Sequence, residues 1–292
     1  MKKLYLMLLL TAVHFACYPQ SNNSTTGAAK EQKFFVGLNY SYLDSDLKLL
    51  SMTKHSVWDG TDFGTIEVEQ DQIDTLNSFI NYNERLQYLY LTAGMVLLNN
   101  PTSPWYIDGH LVLGHVKREN SVINSGSDIT EQDIESENFS PMFGIGFNFS
   151  YRLNEKWKIK LAAQSLYSSG TTDKIEDNVF LKVPGMDESR KSKLKESYSR
   201  LDFLASYQIN SLTISAGPGF CFLYNTHKYE IVRTNPEDGK IYEDTIETSL
   251  KNKTFINGGL YLGWKFADHF QLNAGSAVSN DLMITGGIVY TF

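Results

Sequence analysis

The 292-residue sequence carries 26 Lys and Arg against 33 Asp and Glu, a formal charge of −7, and has 17 Tyr, 17 Phe and 21 Gly. That balance excludes a nucleic-acid-binding surface, which needs clustered Lys and Arg; the one basic run, Arg190 to Lys195, is diluted by acidic neighbours. Beyond the N-terminus no stretch approaches the 18 or more consecutive apolar residues of a membrane helix, so any crossing of a membrane by the mature chain has to be made by strands. The two cysteines, Cys17 and Cys221, exclude a disulfide framework.

Met1-Lys2-Lys3 followed by the apolar run Leu4 to Val13 and the small Ala16 reads as a signal peptide, residues 1–17, with cleavage expected between 16 and 21; lipidation of Cys17 is the alternative processing. Residues 18–33, rich in Ser, Asn, Thr and Gly, form a flexible polar lead-in. From Phe34 the period becomes two. Strands are expected near 34–50, 82–98, 104–121, 139–152, 156–172, 194–209, 211–233, 250–266, 269–278 and 282–292. The clearest is Phe143 to Tyr151, where Phe143, Ile145, Phe147, Phe149 and Tyr151 share one face and Gly144, Gly146, Asn148 and Ser150 the other.

Alternation also occurs in aqueous sandwiches, and three features favour a membrane barrel instead. Tight turns (Asn99 to Ser103, Leu153 to Glu155, Asn210-Ser211, Ala267-Asp268) alternate with long connections, the last hairpin excepted, as in an up-and-down barrel with short turns on one side of the membrane. Trp157 and Tyr167 share a face ten residues apart, roughly 25 Å along the membrane normal at ~3.3 Å per residue and ~40° tilt, the height between two aromatic girdles. Trp264, Phe266, Tyr290 and Phe292, with Phe270, are expected in the periplasmic girdle. The final strand sets Leu282, Ile284, Ile288, Tyr290 and Phe292 on one face. This closing pattern resembles the C-terminal signal of outer-membrane barrels, which implies the barrel-insertion machinery as a partner. Pro218, inside an expected strand, calls for a β-bulge beside Gly217 and Gly219.

Gly37-Leu38-Asn39, Leu86 to Leu91, Gly109 to Gly114 and Ala216-Gly-Pro-Gly-Phe220 resemble the porin-like or PorT-like outer-membrane β-barrel family common in Bacteroidetes, over most of residues 34–292. The family often has a proline in the middle of the second strand, where this chain has Thr92-Ala93. The resemblance implies an all-β, single up-and-down antiparallel barrel of about ten strands in the outer membrane, and says less about activity.

With apolar faces toward lipid, Asp108, His110, Lys158, Lys160, Gln164, Arg200, Asp202, Asn257, Lys265 and Asn273 point into the lumen. Asp108, His110, Lys158, Arg200, Asp202 and Lys265 are the expected polar network, with Arg200–Asp202 and Asp108–His110 as pairs, because charges there must pair or stay hydrated. Cys221, on the lumen side, reads as a small packing residue. Three long connections are acidic: Asp59 to Asp74, Asp128 to Glu137, and Glu237 to Glu247. They lack the ligand spacing of an EF-hand, so no metal or other cofactor is expected. Omptin proteases are barrels of similar length, but the only Asp-His dipeptide, Asp268-His269, falls at a periplasmic turn, and no Ser-His-acid arrangement stands out. The expectation is a non-enzymatic barrel with a structural or binding role, meeting lipopolysaccharide at its rim. The alternatives are a small-solute pore, then an accessory subunit of a transport system or an omptin-like hydrolase.

Overall fold

The computed structural model describes residues 33–99, 103–124, 132–172, 185–279 and 281–292. The expected signal peptide and all but the last residue of the lead-in lie outside them. In chain order the elements are β1 (Phe34–Trp58), β2 (Thr61–Glu67), α1 (Gln70–Phe79), β3 (Ile80–Asn99), β4 (Trp105–Asn124), β5 (Gln132–Arg152), β6 (Trp157–Thr172), β7 (Asp187–Ile209), β8 (Leu212–Thr234), β9 (Ile241–Asn252), β10 (Ile256–Lys265), β11 (Phe270–Val278) and β12 (Leu282–Thr291). Neighbours pair antiparallel, and ten strands close a ring in the order β1-β3-β4-β5-β6-β7-β8-β10-β11-β12. The tight turns at 153–155, 210–211 and 267–268 and both ends of the barrel domain lie at one end of this ring, and residues 100–102 of the expected turn Asn99 to Ser103 lie outside the described residues. At the β7–β8 turn Asn210 takes φ 52°, a left-handed conformation that asparagine tolerates well.

Strand length explains the profile. The 10, 9 and 10 residues of β10, β11 and β12 match the roughly 9–11 that a tilted strand needs to cross the hydrocarbon layer. β1, β7 and β8, at 25, 23 and 23 residues, run well past it. Above the three short strands, β9 takes their place. β8 pairs β10 over Leu212–Phe220 and β9 over Tyr224–Thr234; β1 pairs β12 over Phe35–Asp44 and β9 over Leu47–Trp58. The ring thus narrows from ten strands to eight.

Each change of partner leaves backbone groups between two ladders, and one side chain serves each junction. At the β8 junction Asn252 accepts from Leu223 N at 3.1 Å and donates to the carbonyls of Cys221 (2.8 Å) and Thr254. At the β1 junction Asp281 accepts from Asp46 N at 3.2 Å and from the Ser45 hydroxyl at 3.1 Å.

The outer face is apolar where all ten strands are present. Phe143, Ile145, Phe147 and Phe149 are 38–55 % exposed, and Val36, Leu38, Leu111, Ile159, Leu260 and Ile284 are exposed around the ring. A continuous belt of this kind is unsuited to water and suits lipid, and a closed barrel is the form in which strands span the outer membrane. Rings cluster at the turn end: Trp105 lies 4.4 Å from Tyr151, Trp157 4.8 Å from Tyr207, and Trp264, Phe266, Phe270, Tyr290 and Phe292 follow one another at 4.8–5.8 Å. At the opposite edge Tyr167 lies 5.2 Å from Phe143. Outward charges begin there, with Asp44, Arg85 and the Lys117–Glu119 pair.

Three expectations are corrected. The strand expected at 250–266 is two, β9 and β10, broken at 253–255. Much of the expected acidic connections is regular structure: 59–74 holds β2 and the first turn of α1, and 237–247 holds the start of β9. Ile73 of α1 is 2 % exposed and joins the interior cluster with Leu47, Leu49 and Leu250, while the Asn77 amide bonds both Leu49 N (2.8 Å) and Leu49 O (2.9 Å), where the β1–β9 register shifts. Finally, Pro218 needs no bulge. The β7–β8 ladder omits its pairs at Phe203-Leu204 and resumes in the same register.

Asn252→Ala, which strands the buried Leu223 N–H and Cys221 carbonyl, is expected to lower the unfolding free energy by about 2–3 kcal/mol, measured by urea unfolding in neutral detergent.

Candidate functional site

The inward face carries the polar residues, and alternation puts them there. In the membrane-level half, Arg200 Nε meets Asp202 at 2.7 Å, and both are buried. Asp108 is buried and accepts from the Asn148 amide at 2.9 Å; His110 Nδ1 lies 3.8 Å from Asp108, beyond hydrogen-bond range. Lys158 is half-buried near the turn end, and Lys265 is exposed at its mouth, so these two stand apart from the buried groups. Cys221 is buried with a free thiol.

The densest constellation lies higher and centres on Arg118. Arg118 is 1 % exposed and donates from Nε to Glu196 at 3.0 Å, from Nη1 to Ser140 at 2.8 Å and from Nη2 to Ser168. One guanidinium thereby ties β4 to β5, β6 and β7. The other Glu196 oxygen accepts from the Tyr88 hydroxyl at 2.9 Å, and Asn225 donates to Glu84. β3 is thus bound to β7 and β8 across the ring. Tyr198 donates to Met283 on β12 at 3.1 Å. With Glu84, Tyr88, Arg118, Glu196 and Asn225 at 0–2 % exposure, these groups fill the cross-section. The sequence reading missed Glu84, Arg118, Glu196 and Asn225. Their signal was parity, since each sits on the inward face of an alternating strand.

Above this plug the eight-stranded ring opens into a vestibule of about 270 Å³. One wall is aromatic: Trp58 lies 5.1 Å from Tyr242 and 6.1 Å from Phe63, both near parallel. Trp58 and Phe63 are 47 % and 60 % exposed. Trp58 stands beyond Asp44 by about 46 Å of strand, or roughly 35 Å above the apolar belt, too far out to belong to a girdle. The floor is ionic, with Arg233 bonding Asp244 at 2.6 Å and Glu188 at 3.1 Å, Lys54 3.3 Å from Asp244, and the Ser56 hydroxyl donating to Asp244 at 2.6 Å. Burial raises the Asp244 carboxyl, but Ser56, Arg233 and Lys54 outweigh it, so its pKa falls below the ordinary 3.8. Three histidines outside the lumen network lie apart from one another. His269 bonds Thr291 O at the turn end, His227 is buried against Tyr229, and His55, near Thr65 and Asp62, is partly exposed.

Arg118→Met leaves buried carboxylates without their cation and is expected to cost about 3–5 kcal/mol in urea unfolding, with part regained in Arg118→Met/Glu196→Leu. A depressed carboxyl stabilises fully above its unfolded pKa and loses that contribution as pH falls through its lower folded value. Protection factors of the β9 amides, corrected for the intrinsic pH dependence of exchange, are therefore expected to be level at pH 5–7 and to fall below the ordinary Asp value of 3.8, a step that Asp244→Asn removes.

No family model and no curated protein matches the sequence. Solved structures similar in shape include the translocator domain of the autotransporter NalP from Neisseria meningitidis (10 % identity, TM-score 0.37, 99 % of this chain and 95 % of that one). Others are the outer membrane protease OmpT from Escherichia coli (9 %, 0.41, 93 % and 100 %) and the toluene transporter TodX from Pseudomonas putida (10 %, 0.35, 93 % and 91 %). The assignment to outer-membrane barrels rests on the closed ring and its outward apolar belt.

Proposed function

We propose that this chain is a closed, non-enzymatic binding barrel of the outer membrane, of the porin-like kind found in Bacteroidetes, which engages its ligand or partner at the outer vestibule. The observation that carries this reading is the pairing of a filled lumen with an exposed aromatic wall. Arg118, Glu196 and Tyr88 bond across the ring with almost no exposure, while Trp58 and Phe63 face open space far from lipid. Exposed aromatic rings over a floor of fixed charges are the usual make-up of a binding surface. The absence of catalysis is part of the proposal: Ser56 is engaged by Asp244, and His55 bonds across to Thr65 of β2, so neither is prepared as a nucleophile or base for the other. Lipopolysaccharide is the proposed neighbour of the belt and its charged upper edge, and the insertion machinery the proposed reader of the strand ending at Phe292.

The second reading is a small-solute pore, favoured by a cavity of about 140 Å³ beneath the plug. Planar-bilayer recording separates the two. The folded wild type is expected to be silent, and Arg118→Ser/Tyr88→Ser to show discrete current steps. Reproducible steps from the wild type would overturn the closed-barrel reading.

A further inference from the structure

The cavity beneath the plug has a built polar wall. Arg200, 8 % exposed, spends Nε on Asp202 and Nη1 on the Met283 sulfur at 2.9 Å, and its Nη2 has no partner. A thioether is a weak acceptor, and although the guanidinium also lies over the Tyr261 ring, 5.1 Å from its centroid, the buried Nη2 is left without a hydrogen bond in a residue that lines the cavity. His110 also lines it, and its Nδ1 has no hydrogen-bond partner. The ring is held by two close approaches. A Cβ at Gly146 would collide with its imidazole, and one at Gly94 would come within 2.7 Å of its Cβ. Arg200 and His110 thus line one space and are held in place by the fold, with the His110 Nδ1 on the side of the Asp108 carboxylate, 3.8 Å away.

We propose that this chamber is a binding site for a small organic monocarboxylate, its oxyanion taken by Arg200 and His110 and its apolar body lying against Leu166, Ala162 and the ring of Tyr198. Charge selects the monoanion. Asp202 already offsets Arg200, and Lys160 lies within electrostatic reach of both Asp202 and Asp108, so a dianion would face two carboxylates with little cationic surplus. Size selects a compact body, since a dry cavity of about 150 Å³ is known to hold benzene. Access is from the turn end: inward residues below the chamber, such as Asn39, Lys158, Asn273 and Val289, are only half-buried, whereas the Arg118 plug closes the other side.

The test is isothermal titration of the membrane-extracted protein in a neutral maltoside detergent with benzoate, its neutral analogue benzyl alcohol, and inorganic phosphate. Benzoate is expected to bind with a Kd of roughly 1 mM or tighter, and the other two at least about tenfold more weakly. Arg200→Met is expected to weaken benzoate by about tenfold or more. Ala162→Leu, which fills the chamber from the β6 wall opposite Asp202 and retains both Arg200 and His110, is expected to do the same, and it keeps the test decisive if the arginine variant does not fold. Each sample is first checked for a heat-sensitive gel position. No benzoate binding by the folded wild type, equal binding of benzyl alcohol, phosphate bound in place of benzoate, or benzoate binding unchanged in Ala162→Leu would overturn the proposal.

Discussion

Every backbone N–H and C=O in a hydrocarbon layer must find a partner within the protein, and the architecture follows from that requirement. A flat sheet would leave two edges unpaired, so β1 closes against β12 and no edge remains at membrane level. The same requirement governs the change from ten strands to eight. Three strands stop where the membrane stops, and the groups they would have paired are taken up by β9, with the Asn252 and Asp281 side chains serving the two places where neither ladder reaches.

The interior answers a different constraint. A barrel this narrow must be filled, and half of every strand points inward, so polar residues are packed where water would otherwise stand. Arg118 is satisfied by three acceptors from three strands, and Tyr88 completes Glu196. Buried pairs of this type add little net stability over apolar packing, because desolvation offsets much of the attraction. Their contribution here is geometric: they tie strands that are not neighbours in the ring, and in doing so divide the lumen into an upper vestibule and a lower chamber. Arg200 lies below that divide with its donors incompletely used.

Among the described residues the outer extension is regular structure continuous with the barrel's sheet. β2, α1 and β9 are held by sheet pairing, by Ile73 in the interior cluster and by the Asn77 amide on Leu49. This carries Trp58, Phe63 and Tyr242 far beyond the lipid on a rigid support, and holds the acidic residues of these segments on strands and a helix.

By itself the sequence determined which residues face lipid and which face the lumen, because a period of two is a local property: Phe143 to Phe149, the turn-end rings and the Arg200–Asp202 pair all follow from it. It also determined the strand count of the membrane ring, since the hydrocarbon thickness fixes a strand's length. Only the tertiary structure decided which inward residues meet. Glu84, Arg118, Glu196 and Asn225 are far apart in the chain and come together through the stagger of strands around a closed ring, which no local pattern encodes. The same holds for β9. Its residues read as connection and strand run together, and they became a strand of the upper ring only because β1 and β8 outlast their membrane partners and offered it two edges.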